Sequence, residues 1–154
     1  MDGQTPNPPS PPGSLEPVFR LDCAGVDWQA VAALLQRAGM AFHAPELHQQ
    51  AFGNSHTTVF VFLGGHLIGC GRALSDGAYQ AAIYDVAVAP EHQGQGLGRT
   101  ILHTILARLA HCNVILYAAP GKEDFYRKLG FRKMQTGMAL FVQAERMRER
   151  GFTE

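Results

Sequence analysis

The stretch from Asp85 to Leu109, D-V-A-V-A-P-E-H-Q-G-Q-G-L-G-R-T-I-L-H-T-I-L-A-R-L, leaves few folds open to this chain. Ile83 to Val88 carries no helix signal, and Pro90, which has no N–H to give a ladder, ends the strand by about Ala89. Beyond it, Leu97, Ile101, Leu102, Ile105, Leu106 and Leu109 recur at helical spacing. They form one apolar stripe, so the helix they define must pack on a sheet. Gly94, Gly96 and Gly98 remove three side chains between strand and helix. Successive N–H groups can then point into one concave site at a helix N-terminus, an arrangement that suits phosphate.

Spacing separates the phosphate loops that compete here. A Walker A loop needs G-x-x-x-x-G-K-[ST], but Arg99 follows Gly98 and the pattern is absent from the chain. A dinucleotide fingerprint needs G-x-G-x-x-G and an acid about 20 residues later. Here the glycines run G-x-G-x-G, and Leu116 to Ala119 contains no acid. What fits is Gln-x-x-Gly-x-Gly, supplied by Gln93, Gly96 and Gly98 directly after a Val-Ala-Val strand and a proline. This resembles the acetyl-CoA signature of the GCN5-related N-acetyltransferases, the GNAT superfamily. Asp124-Phe-Tyr-Arg-Lys-Leu-Gly-Phe131 is similar to the second hallmark of that family, F-Y-x-x-x-G-F, and the two motifs lie in the expected order. The resemblance covers roughly Val18 to Val142 and is specific from about Leu67 onward. It implies an α/β chain with the GNAT fold: a mixed, mostly antiparallel central sheet of six to seven strands flanked by about four helices.

With 154 residues, one domain is the natural count, expected at 18–154. Residues 1–17 hold six of the nine prolines and almost nothing apolar, so this tail is expected to be disordered, with a proline-rich ligand for another protein as the alternative. A formal net charge of zero provides no attraction to DNA or an anionic membrane, and neither is expected as a partner. Cys23, Cys70 and Cys112 are odd in number and lack a C-x-x-C pair, and the seven histidines lack H-x-x-x-H spacing. Neither a disulfide framework nor a metal site is indicated. No charged-then-apolar leader pattern opens the chain, so the cytoplasm is the expected location.

In chain order, Val18 to Leu21 reads as a strand, and Asp27 as the N-cap of a helix whose stripe is Val31, Leu34 and Leu35, stopped at Gly39. Pro45 opens a shorter helix towards Phe52. Thr57 to Leu63 and His66 to Leu74 read as strands joined by the Gly64-Gly65 hairpin. Ser75-Asp76-Gly77 turns the chain into a third strand, Tyr79 to Val88. After the long helix come a strand at Val114 to Tyr117, a short helix at Glu123 to Leu129, and last strands at Phe131 to Lys133 and Gly137 to Val142. Gln143 to Arg150 reads as a solvated helical end.

The resemblance implies acetyl-CoA as co-substrate, and no metal. The pyrophosphate would rest on the main-chain N–H groups of Gln93, Gly94, Gln95, Gly96, Leu97, Gly98 and Arg99. The pantetheine arm would run beside Val86, Ala87 and Val88, with an N–H of Val86 or Ala87 holding the oxyanion. Tyr126 matches the family tyrosine that protonates the leaving thiolate, with Phe125 beside the cofactor; a buried tyrosine with a satisfied hydroxyl is the alternative. Asp85 is the only carboxylate in the central strand. It could orient the ammonium or pass its proton to water, or it could bond to backbone or to a dimer partner. Tyr84 stands where the glucosamine-phosphate enzymes often carry Glu, and Ala119 where many members have Asn.

The first two helices and their loop cover the acceptor site in the family, which makes Phe42, His43 and His48 candidates to line it; an ordinary surface loop with one buried Phe is the alternative. The glycine turn is similar to that of the glucosamine-phosphate enzymes. Gly71 to Gly77, including Arg72 and Asp76, together with Ile83 to Val86, resembles a plastid-type group that acetylates arylalkylamines and protein lysines. Arg72 is the only Lys or Arg between residues 40 and 85, so no cation cluster for a sugar phosphate is present there. A small uncharged or cationic amine is the expected acceptor, ahead of a protein lysine or N-terminus and of a non-catalytic acyl-CoA sensor. A homodimer through the last strands, around Met138 to Val142, is a further expectation.

Overall fold

The computed structural model describes residues 15–154. The disorder expected of the proline-rich tail concerns mainly residues 1–14, which lie outside the described residues. The chain divides into two compact units at the Val114–Ile115 peptide.

The first unit contains strands β1 (Val18–Arg20), β2 (Thr57–Leu63), β3 (His66–Ser75) and β4 (Gln80–Val88), and helices α1 (Trp28–Arg37), α2 (Pro45–Gly53) and α3 (Leu97–Ala107). A 3-10 turn, Pro90–His92, separates β4 from α3, and β5 (Asn113–Ile115) reaches the unit boundary. The sheet order is β1-β2-β3-β4-β5, with β1 to β4 paired antiparallel in sequence. The sheet is mixed and flanked by helices, with five strands among the described residues rather than six or seven.

Local chemistry accounts for the elements. Asp27 accepts the N–H groups of Gln29 and Ala30 at 3.0 and 3.3 Å and so caps α1, whose Val31, Leu34 and Leu35 are buried. Gly39 ends it at φ +89°. Gly64 and Gly65 take φ +56° and +80°, the double left-handed turn that joins twisted strands in a two-residue hairpin. Asp76 accepts the N–H groups of Ala78, Tyr79 and Gln80 at 2.7, 2.9 and 3.1 Å, which explains its place in the turn into β4.

A ring cluster joins α1 and α2 to the sheet: Trp28 lies 5.8 Å from Phe52 and 6.0 Å from Phe60, and Phe52 stacks on Phe60 at 5.3 Å. Helix α3 packs on β3, where Gly69 and Gly71 have no side chains to keep it away. A Cβ on Gly71 would stand 2.8 Å from Ile101 Cγ2 and 3.0 Å from Ile105 Cδ1. Both isoleucines are fully buried, so the helix fills the space that the glycine leaves.

The second unit holds α4 (Glu123–Arg127) and α5 (Ala144–Glu149), with Tyr117 edge to face on Phe141 and Phe152 at 5.5 and 5.9 Å. The strands expected at Phe131 to Lys133 and Gly137 to Val142 do not form. No backbone hydrogen bond joins residues 132–142 to a partner among the described residues, and Met138, Leu140 and Val142 are 95%, 100% and 104% exposed. Alternating apolar residues make a strand only where a neighbouring ladder and a surface to bury them exist, and this segment has neither.

Gly71→Ala should therefore destabilise the protein by about 1–3 kcal/mol through overpacking against Ile101, read as a lower midpoint in urea unfolding. An unchanged midpoint would show that α3 is not held this close to β3.

Candidate functional site

The turn between β4 and α3 is built by two glycines and one glutamine. Gly94 and Gly96 take φ +77° and +83°, and Gly96 is the N-cap of α3. Gly98 already lies in the helix, so smallness rather than a left-handed backbone is its contribution. The Gln93 side chain donates from Nε2 to Val88 O at 3.0 Å, tying the turn back to the strand end. Its own N–H is taken by Pro90 O at 3.3 Å, so the cradle expected from Gln93 begins instead at Gly94. From Gly94 to Arg99 the N–H groups find no acceptor among the described residues, and no side chain caps the helix. A row of free donors with the positive end of a helix behind it fits a pyrophosphate without rearrangement.

Val86, Ala87 and Val88 form the end of β4. On one side β3 pairs with them, Cys70 opposite Ala87 and Gly69 opposite Val88. On the other side stands β5, which is three residues long and whose Asn113 N–H bonds Tyr79 O at 2.8 Å, before the first residue of β4. At about 3.3 Å per residue, β5 ends well short of Val86. Among the described residues of the first unit, no strand reaches the outer edge of Val86 to Val88, a geometry that suits an extended ligand such as an amide-bearing arm.

A β-bulge sits just before that edge. The register passes from Arg72 opposite Tyr84 to Cys70 opposite Ala87, so Asp85 and Val86 together face Gly71. Asp85 is the one non-glycine residue at positive φ, +54°, among the described residues. A left-handed backbone costs a typical side-chain-bearing residue about 1–2 kcal/mol, less for Asp. Asp85 Oδ2 accepts Arg72 Nε at 2.6 Å, with the two side chains 26% and 15% exposed. The guanidinium also donates to Ser55 Oγ at 3.4 Å and lies over the rings of Phe52 and Tyr84 at 5.7 and 5.3 Å. Sequence reasoning offered Asp85 the acceptor ammonium, a backbone bond or a dimer partner, and missed the cation on the neighbouring strand, opposite Tyr84; the signal was the lone Arg72 in an apolar strand.

The residues expected to line an acceptor site divide between surface and core. Phe42 is 62% exposed, whereas His48 is 4% exposed. Helix α2 turns residue 48 inward beside Phe52, and the loop residue is left outside. Burial holds the His48 imidazole below its ordinary pKa; the Asp85 carboxylate opposes this, and His43 and Arg72 add to it. The buried Cys70 donates to Asp85 O at 3.4 Å, and burial pushes its thiol far up, so it is inert as a nucleophile.

In the second unit, Phe125 and Tyr126 lie on α4. Tyr126 is half-buried between Phe125 and Phe131, at 5.1 and 5.9 Å, and burial raises its phenol above the ordinary value. Its hydroxyl has no hydrogen-bond partner among the described residues, so the phenol stays protonated and free to donate throughout the neutral range. A cavity of about 660 Å³ between α1, the β2–β3 hairpin and the 3-10 turn contains none of these residues. The Arg37–Glu91 ion pair lines it, with the guanidinium holding the Glu91 carboxyl at about 2. No group of three or more metal-ligating side chains occurs among the described residues, nor does any helix long and apolar enough to cross a membrane.

Breaking the bulge clamp has a defined signature. In a cycle of Arg72→Met, Asp85→Asn and the double variant, the coupling energy should be about 1.5–3 kcal/mol, as for a hydrogen bond between charged groups. Additive losses would show that the pair contributes nothing beyond its separate packing.

Comparison with known proteins agrees with this geometry. The family model described as the acetyltransferase (GNAT) domain matches residues 55–133, just over half of the chain. Serotonin N-acetyltransferase 2, chloroplastic, of Oryza sativa subsp. japonica is 33% identical over 122 residues, covering 73% of this chain and 60% of that protein. An uncharacterised N-acetyltransferase of Porphyra purpurea is 40% identical over 75 residues, 47% of this chain and 43% of its own length. The chain thus spans between two fifths and two thirds of these relatives. A probable acetyltransferase of meticillin-resistant Staphylococcus aureus, known from its crystal structure, superposes with a TM-score of 0.75 at 26% identity, over 82% of this chain and 98% of that one. With the strand, the uncapped glycine turn and the helix all inside the matched residues, the chain belongs to the GCN5-related N-acetyltransferase (GNAT) family.

Proposed function

We propose that this protein transfers the acetyl group of acetyl-CoA to the nitrogen of a small primary amine by direct attack. The observation that carries the reading is the row of free N–H groups from Gly94 to Arg99 next to the open strand edge at Val86 to Val88. The first suits the pyrophosphate of the co-substrate and the second suits its amide-bearing arm. Bound there, acetyl-CoA supplies the activated acyl group. The N–H of Val86 or Ala87 stabilises the developing oxyanion, and Tyr126 donates the proton that the departing thiolate needs.

The acceptor follows from charge. Arg72 is the only Lys or Arg between residues 40 and 85, and it is held by Asp85 and Ser55 between two rings. No free cation remains in that stretch to receive a phosphate on the acceptor. Asp85 Oδ1 accepts no hydrogen bond among the described residues and is available to a cationic amine. The rice relative named for serotonin supports an arylalkylamine first.

The test is CoA thiol release from acetyl-CoA with arylalkylamines, polyamines, amino sugars with and without phosphate, and lysine peptides. Turnover is expected with an unphosphorylated amine, and Tyr126→Phe should lower it by about 10²-fold while acetyl-CoA still raises the melting temperature as before. Turnover with lysine peptides alone would move the acceptor to protein. Stabilisation by acetyl-CoA without any turnover would make the domain an acyl-CoA sensor. Gly96→Ala, strained at φ +83°, should weaken stabilisation by acetyl-CoA more than it weakens the fold itself.

A further inference from the structure

Besides Asp85, three groups hold the Arg72 guanidinium. Its Nη1 donates to Ser55 Oγ at 3.4 Å, and that hydroxyl is fixed in turn by donating to Ala51 O at 2.7 Å. The Phe52 and Tyr84 rings lie 5.7 and 5.3 Å from its central carbon. Phe52 is fully buried and stacked on Phe60, so this wall does not retreat. Asp85 takes Nε alone, through Oδ2. Nη2, which shares one edge of the guanidinium with Nε, has no hydrogen bond among the described residues and is not sealed from solvent. That edge is the one on which an arginine binds a carboxylate or a phosphate through two parallel bonds. A site for an anion is thus built, reached by solvent and filled by the protein's own carboxylate.

We infer that Asp85, by occupying Arg72, is the residue that turns the acceptor site against amines carrying an acid group, and that Arg72 is a latent anion site behind it. The inference rests on the acetyl-transfer reading above and names the pair that sets its acceptor class. Asp85 immediately precedes Val86, along whose edge that reading lays the amide-bearing arm of the co-substrate. An amine brought to the thioester arrives beside the pair. A carboxylate or phosphate on the same molecule meets the negative charge of Asp85 and finds Nε taken, a like-charge contact with nothing to offset it. Without that carboxylate the guanidinium stays where Ser55 and the two rings hold it, and its two-donor edge is open to an acid group of the substrate.

The test is CoA thiol release with acceptors in matched pairs, one member of each carrying an added acid group: tryptamine and tryptophan, cadaverine and lysine, glucosamine and glucosamine 6-phosphate, and lysine peptides with alanine or aspartate next to the lysine. The readout is the ratio of kcat/KM within a pair, for wild type, Asp85→Asn, Asp85→Gly and the double variant Arg72→Met with Asp85→Asn. A ratio taken within one enzyme cancels any uniform loss of active protein, and glycine adopts the φ of +54° at residue 85 without strain. Wild type should prefer the acid-free member. Both single variants should shrink that preference by about 10-fold or more, through relief of a like-charge contact and gain of a charge-assisted bond. The double variant, with no cation to uncover, should give back most of that gain. A clamp that serves structure alone lowers both members alike, and an unmoved ratio overturns the inference. So does a ratio that shifts as far without Arg72 as with it, or a wild type that takes both members equally, a result that needs no variant to fold. Absence of thiol release from the wild type with every acceptor overturns the acetyl-transfer reading itself, an outcome distinct from turnover whose ratio ignores Asp85.

Discussion

The architecture of the first unit depends on the clamp between Arg72 and Asp85. Two residues of β4 face the single Gly71 of β3, and one of them, Asp85, holds a left-handed backbone that most residues avoid. The guanidinium bonded to its carboxylate secures that conformation from the neighbouring strand. A bulge adds a residue and increases local twist, so it determines how Val86 to Val88 present their edge. Gly71 serves two packings at once: it is the residue opposite the bulge and the gap into which Ile101 and Ile105 of α3 descend. The position of α3, and with it the direction of the free donors at its N-terminus, follows from the same few residues.

The clamp also shapes the electrostatics. A cation free to meet a phosphate would favour a phosphorylated acceptor, but Arg72 is satisfied by a carboxylate, a hydroxyl and two aromatic faces. Its charge is neutralised locally, which is why the proposed acceptor is an unphosphorylated amine. His48, buried one helical turn from the ring under the guanidinium, sits in the field of both partners. Burial is the main reason that its imidazole is held below the ordinary value.

Much of the fold was legible because the relevant forces are local. The cap at Asp27, the stop at Gly39, the paired glycines of the hairpin and the helical stripe from Leu97 to Leu109 each rest on interactions within a few residues, and each element stands within a residue or two of its expected place. Where the outcome depended on distant partners, the reading failed. Gly137 to Val142 has the alternation of a strand and no ladder to join. Phe42, His43 and His48 were offered together as candidates to line the acceptor site, and the rotation of α2 decided that of Phe42 and His48 it is His48 that enters the core.

By itself, the sequence determined the strand, the glycine turn and the helix that follow one another from Ile83 to Leu109, and so the family. Backbone sterics and helical periodicity act over short spans, and they leave a readable mark in residue order. Only the tertiary structure decided that Arg72 meets Asp85, that Gln93 returns to Val88 and surrenders its N–H to Pro90, and that His48 Nε2 is buried with no hydrogen-bond partner among the described residues. These depend on strand register and helix rotation, which arise when separate elements pack against one another.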